Sequence, residues 1–120
     1  MFIILTIIVY FSQEFQKGLG ILEENNVPFD LSINDPILKH IPKIAAKFPN
    51  LKMVIDHLAK PEISKGEEYF KTWKTIISEI AQFPNVFMKL SGMVVLTEPW
   101  SKEVFKPYVD HCLDVFGAKR

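Results

Sequence analysis

The stretch Leu51–Ile63, LKMVIDHLAKPEI, decides how this chain is read. An apolar run of strand length stops at Asp56-His57 and gives way to Lys60-Pro61. Buried parallel strands have this form when chemistry collects at their carboxyl ends. A second stretch, Asn85–Gly92 (NVFMKLSG), repeats it, with Val86, Phe87 and Met88 leading into Lys89, Ser91 and Gly92. Two strands therefore deliver polar side chains to one rim.

Working outward, Phe15, Leu19 and Leu22 recur at helical spacing ahead of Asn25-Asn26 and predict a helix over 13–24, weakened by Gly18 and Gly20. Pro28–Ile33 alternates apolar Phe29, Leu31 and Ile33 with Asp30 and Ser32, a strand of period two that Asn34-Asp35-Pro36 turns. Ile37, Leu38, Ile41, Ile44, Ala45 and Phe48 form a helical stripe, in which Pro42 must occupy a first turn or make a break. Beyond a polar loop around Ser64-Lys65-Gly66, Phe70, Trp73, Ile76, Ile77, Ile80 and Ala81 predict another helix. Phe105, Tyr108, Val109, Cys112, Leu113 and Phe116 predict the last one, stopped by Gly117. Helix, Pro-Asn and strand recur at Pro49-Asn50-Leu51 and Pro84-Asn85-Val86, 35 positions apart. This is the spacing of a βα repeat, and it implies an α/β fold of parallel strands joined by right-handed crossovers.

The 120 residues, 48% apolar and 23% charged, are enough for one globular domain. Fourteen basic residues balance fourteen acidic ones at pI near 6.8, which leaves no electrostatic footprint for nucleic acid or an anionic membrane. Arg120 is the only arginine, so an anion site must use lysine or backbone N–H. The single cysteine, Cys112, excludes an internal disulfide, reads as a core residue and fits a reducing, cytoplasmic compartment. Residues 1–12 stand apart from 13–120, because Met1–Phe11 is apolar throughout. Eleven residues fall short of the roughly 17–25 that cross a bilayer, and the basic start of a secretory signal is missing. A β-strand or a mis-started segment is the expectation there, with a leader or a membrane anchor as the alternatives.

Strand alternation places Asp30, Ser32 and Asn34 on one face, Met53, Ile55 and His57 on another, and Phe87, Lys89 and Ser91 on a third. In a closed barrel all three faces could point inward. His57 could then bind metal, shuttle a proton or donate to a developing oxyanion, unless it is simply bonded to backbone. Lys89, flanked by Met88 and Leu90, needs a partner or a wet cavity unless it reaches solvent at the strand end. Asp56 has the opposite parity and is expected to orient a neighbour. His40 and His111 fall in helical patterns and read as surface residues. Lys60 and Trp100 are either a solvated loop residue and a packing aromatic, or pocket lining. One rim histidine without His-x-x-x-His or a cysteine cluster makes no metal site by itself, and GxGxxG, P-loop and GxSxG motifs are all absent.

Three phrases, VIDHLAKPEI, FPNVFMKLSGM followed by Trp100, and PYVDHCLDVFGAKR, resemble the amidohydrolase-related family (amidohydrolase family 2). The similarity is to its branch of sugar-acid lactonases and 2-pyrone-dicarboxylate lactonase-like hydrolases, and it extends over residues 15–120. The resemblance implies a partial (β/α)8 barrel, with the Phe29, Val54 and Val86 strands as the fifth, sixth and seventh. It implies His57 and Lys89 as catalytic residues. Ser91, Ser32, Lys60 and Trp100 would contact a small lactone or carboxylate substrate. It also allows a divalent metal such as zinc in the intact enzyme, with His57 as the ligand this chain would supply, although Ser32 stands near where metal-dependent members often carry histidine. The family's first-strand His-x-His or His-x-Trp and its eighth-strand Gly-Ser-Asp-Trp-Pro-like motif do not occur here. The chain is therefore expected to be a fragment that does not turn over substrate by itself. Two further readings stand beside this one. The first is a non-catalytic module that self-associates through its exposed sheet edges, and the second is a small complete α/β sandwich.

Overall fold

The computed structural model describes residues 8–120. Helix α1, Gln13–Glu24, begins at Ser12, whose hydroxyl accepts the Phe15 N–H, and ends at Asn25. Strand β1, Phe29–Leu31, follows. The stripe around Pro42 divides into α2, Asp35–Leu38, and α3, Ile41–Lys47, each with proline in its first turn. Then come β2, Met53–Ile55; α4, Glu67–Ile80; β3, Val86–Met88; and α5, Lys102–Phe116, capped by the Ser101 hydroxyl and ended by Gly117 at φ 74°. The polar loop around Ser64 contains a short 3-10 turn, Ile63–Lys65.

The strands form one parallel sheet in the order β1-β2-β3, with Asp30, Val54 and Phe87 in register across it. Helices fill the connections, so one sheet face is covered and the other is open. Leu31, Met53, Ile55, Val86 and Met88 are buried on the covered face. This corrects the expected alternation, because Met53 and Ile55 are both fully buried against the helical layer and do not share a face with Asp30 and Lys89. The open face carries Asp30, Val54 and Phe87, and the residue that continues it beyond β2 is Asp56.

The two Pro-Asn pairs do different work. Asn85 is buried, and its amide donates to the carbonyls of Ala45, Phe48 and Leu51 at 3.3, 2.9 and 3.1 Å. It thereby satisfies the end of α3 and ties it to the start of both β2 and β3. The backbone N–H groups of Asn50 and Leu51 instead donate to the Glu23 carboxylate at the end of α1. At the outer edge of β3 the Met88 N–H donates to the Arg120 carbonyl at 2.9 Å. The Arg120 guanidinium meanwhile holds the carbonyls of Ala81, Phe83 and Val86.

Trp73 anchors α4, stacking on Phe70 and packing against Tyr108 of α5. Cys112 lies in the core as expected, and burial pushes its thiol up to about 12. The histidines in helical patterns are not surface residues. His111 is half-buried, its Nε2 3.1 Å from both the Ser78 hydroxyl and the Lys74 carbonyl, and His40 stands edge-on to Phe11. Residues 8–11 are helical, which overturns the strand expectation for that part of Met1–Phe11, and the rest of that segment lies outside the described residues. Among the described residues no helix is long and apolar enough to cross a membrane.

Replacing Asn85 with alanine leaves three buried carbonyls without their donor and is expected to lower unfolding free energy by roughly 1–3 kcal/mol. Asn85→Asp, which turns a carboxylate toward the same oxygens, should cost more. Urea unfolding of the three chains measures this, and midpoints within error of one another would contradict the role given to Asn85.

Candidate functional site

At the end of β2 the backbone changes hand. Asp56 is still extended at φ −75° and ψ 140°, but His57, Leu58, Ala59 and Lys60 follow with φ of 55°, 57°, 60° and 50°. Four successive non-glycine residues in the left-handed region cost about 1–2 kcal/mol each, so the surroundings must impose the turn. The Leu58 N–H donates to the Lys89 carbonyl at 3.1 Å, and the Trp73 indole N–H donates to the Leu58 carbonyl at 3.3 Å. Within the turn, Ala59 N–H reaches Asp56 and Lys60 N–H reaches His57, at 3.0 and 2.8 Å. Leu58 and Ala59 are fully buried.

The turn takes His57 out of the strand pleat and lays it on the rim beside the end of β3. Its Nδ1 lies 2.8 Å from the Ser91 hydroxyl, and Gly92 packs beneath the ring. Lys60, at the end of the turn, reaches back to donate to the Ser32 hydroxyl at 2.8 Å, beyond β1. Lys89 pairs with Asp30 from β1 and lies 2.9 Å from Asp56 Oδ1 after β2. Five of the six expected site residues therefore collect at the carboxyl ends of three neighbouring strands. They do so as His57–Ser91 and Lys60–Ser32 pairs and as the centre of a Lys89–Asp30–Asp56 cluster.

Trp100 is not among them. It is more than half exposed and lines a separate apolar groove of about 420 Å³ with Met93, Val94, Phe105 and Val109.

In the cluster one ammonium faces two carboxylates. Hydrogen bonding to Asp30, then to Asp56, raises the Lys89 pKa above its ordinary value against the opposing effect of desolvation. Asp56 Oδ1 is shielded from solvent, and the Lys89 ammonium 2.9 Å away is the charge that compensates it. Asp56, expected only to orient a neighbour, is thus part of the site. Gly92 is the second residue whose part the sequence did not indicate. The signal for Asp56 was the end of the apolar run one residue earlier, at Ile55, which releases the positions after it from strand alternation. Among the described residues no three His, Cys, Asp or Glu side chains are grouped to hold a metal ion, and the cation between Asp30 and Asp56 is Lys89 itself.

A raised lysine pKa stabilises the fold below the unfolded value of 10.5, and that contribution disappears as pH rises through the folded value. Lys89→Met is therefore expected to lower the unfolding midpoint at pH 7. The loss should shrink in 1 M salt, because the pairs are partly exposed and screened. A loss of equal size at low and high salt, measured by denaturant titration, would contradict the electrostatic role.

A family model described as amidohydrolase matches residues 9–120. The L-fucono-1,5-lactonase of Burkholderia ambifaria is 36% identical over 106 residues, 88% of this chain and 36% of that protein. The L-rhamnono-gamma-lactonase of Scheffersomyces stipitis is 35% identical over 83 residues, 59% of this chain and 25% of that protein. An amidohydrolase from Burkholderia multivorans, solved with bound zinc, superposes with a TM-score of 0.83 at 24% identity, covering 92% of this chain and 42% of that one. Amidohydrolase 2 from Bifidobacterium longum subsp. infantis superposes with 0.64 at 28% identity, over 88% and 37%. The chain spans little more than a third of the length of the curated relatives it matches first. Its three strands and their helices are part of the (β/α)8 barrel of these neighbours.

Proposed function

The chain belongs to the amidohydrolase family, and on that premise we propose that it forms the fifth to seventh strands of a hydrolase that opens a small sugar-acid lactone. The observation that carries this reading is the meeting of His57 and Lys89 at one carboxyl rim, where the catalytic groups of such barrels gather. Its support from relatives is that two of them are named as sugar-acid lactonases.

Hydrolysis of a lactone adds water to the ring carbonyl carbon, places negative charge on the carbonyl oxygen, and then breaks the bond to the ring oxygen, which leaves as a hydroxyl. Within this chain His57 and Lys89 are the groups suited to stabilise the developing oxyanion. Lys60 and Ser32, paired across the mouth, are placed to meet substrate hydroxyls. The base that removes a proton from water is assigned to the eighth strand, beyond the three described, so this chain alone does not turn over. The described residues do not fit a metal centre by themselves, since no three His, Cys, Asp or Glu side chains are grouped among them and Asp30 and Asp56 share Lys89. The β1 edge, unpaired among the described residues, and the open face of Asp30, Val54 and Phe87 favour a second reading, association of the partial barrel with further barrel strands or another copy.

Titrating L-fucono-1,5-lactone into the isotopically labelled chain tests the first reading. The resonances of His57, Ser91 and Lys89 are expected to shift together while hydrolysis stays at the uncatalysed rate. Shifts confined to the Trp100 groove would overturn the site. Turnover by this chain, lost in His57→Ala, would overturn the placement of the base elsewhere.

A further inference from the structure

We infer that Ser91 and Gly92 are positioning residues that fix both the orientation and the neutral tautomer of His57, so that the ring offers Nε2–H at the rim. The inference rests on the catalytic reading only for its consequence, not for its geometry. Two observations carry it.

The first is steric. Gly92 has φ of 63°, and a Cβ built on it would stand 2.6 Å from His57 Nδ1 and 2.7 Å from Cγ. Ring and backbone are thus in contact along the Nδ1 edge, and no other residue type fits under the imidazole without moving it. The partner surface is as firmly held as the ring. The Lys89 N–H donates to the Ile55 carbonyl at 2.9 Å, and the Lys89 carbonyl accepts the Leu58 N–H. The chain around Ser91 and the chain around His57 are therefore locked to each other on both sides of Lys89.

The second is hydrogen-bonding balance. The Ser91 hydroxyl lies 2.8 Å from Nδ1 and has no other partner among the described residues. A hydroxyl carries one proton that needs an acceptor, and an imidazole nitrogen without hydrogen is the acceptor in reach. Donation from Ser91 to Nδ1 puts the ring proton of neutral His57 on Nε2. The opposite arrangement, Nδ1–H donating to the hydroxyl, would leave the hydroxyl proton without a protein acceptor. A ring held this way donates from Nε2 to a carbonyl oxygen and cannot take a proton there from water. His57 is then the electrophilic group, and the base must lie elsewhere.

The test is a long-range proton–nitrogen correlation spectrum of the labelled chain at pH 8, where imidazoles are neutral, with His57→Gln assigning the signals. The expected result is a single His57 tautomer with Nδ1 bare and Nε2 protonated. Ser91→Ala should convert it to a mixture without changing the unfolding midpoint, and Ser91→Thr should restore the single form. Gly92→Ala should displace the ring signals. If that variant fails to fold, the Ser91 pair carries the test. A protonated Nδ1 in the parent chain, or a tautomer unchanged in Ser91→Ala, would overturn the inference. None of these readouts requires lactone, so a negative result here is separable from failure of the lactonase reading.

Discussion

The left-handed turn at His57–Lys60 is the constraint on which the site depends. Without it, His57 would continue the pleat of β2 and face the same buried layer as Met53 and Ile55. With it, one residue, Asp56, stays on the open face of the sheet, the next moves to the rim, and Lys60 reaches back across the mouth to Ser32. Several kcal/mol of backbone strain are needed to hold four such residues. Neighbours absorb it: Lys89 through its carbonyl, Trp73 through its indole, and the helical layer through burial of Leu58 and Ala59. Strain held in this way commonly marks places where geometry serves chemistry.

The charges gather along the open face of the sheet. Asp30 is in register with Val54 and Phe87, Asp56 and Lys89 follow those two residues by two positions, and the Lys89 side chain reaches Asp30 across that offset. With Lys89 between Asp30 and Asp56 and Lys60 on Ser32, the rim carries two ammonium groups beside two carboxylates. The covered face does none of this work. Its residues are apolar and closely packed, and Asn85 satisfies the three carbonyls that the ends of α3 and the Phe48–Leu51 loop would otherwise strand in the core.

Much of this was legible in the sequence, for stateable reasons. The apolar stripes of α1, α4 and α5 and the repeated Pro-Asn stops fixed the order of elements, since period and punctuation are local properties. The rim was legible too, because polar residues at the end of an apolar strand have few other places to go. What could not be read was the hand of the backbone after Ile55. Nothing in HLAK asks for positive φ, as no glycine or asparagine is present, and the turn is imposed by tertiary contacts with Lys89 and Trp73. Extending strand alternation to His57 therefore gave Met53 and Ile55 the wrong face and gave Asp56 too small a part. Trp100 was given a substrate contact by the family resemblance, whereas its groove depends on how the residues after Gly92 pack on α5. The half-burial of His111 likewise depends on α4 meeting α5, which no single-helix pattern contains.

Native-state hydrogen exchange at the Leu58 and Lys89 amides is the most direct measurement, because these two bonds lock the turn to the neighbouring strand. If the turn is held as described, both amides exchange as slowly as the Phe29 and Met53 amides, which bond between strands, and open only when the sheet opens. Exchange of Leu58 and Lys89 at the rate of an unstructured chain, with Phe29 and Met53 still protected, would show that the rim is not fixed by the turn and would remove the basis for the site built on it.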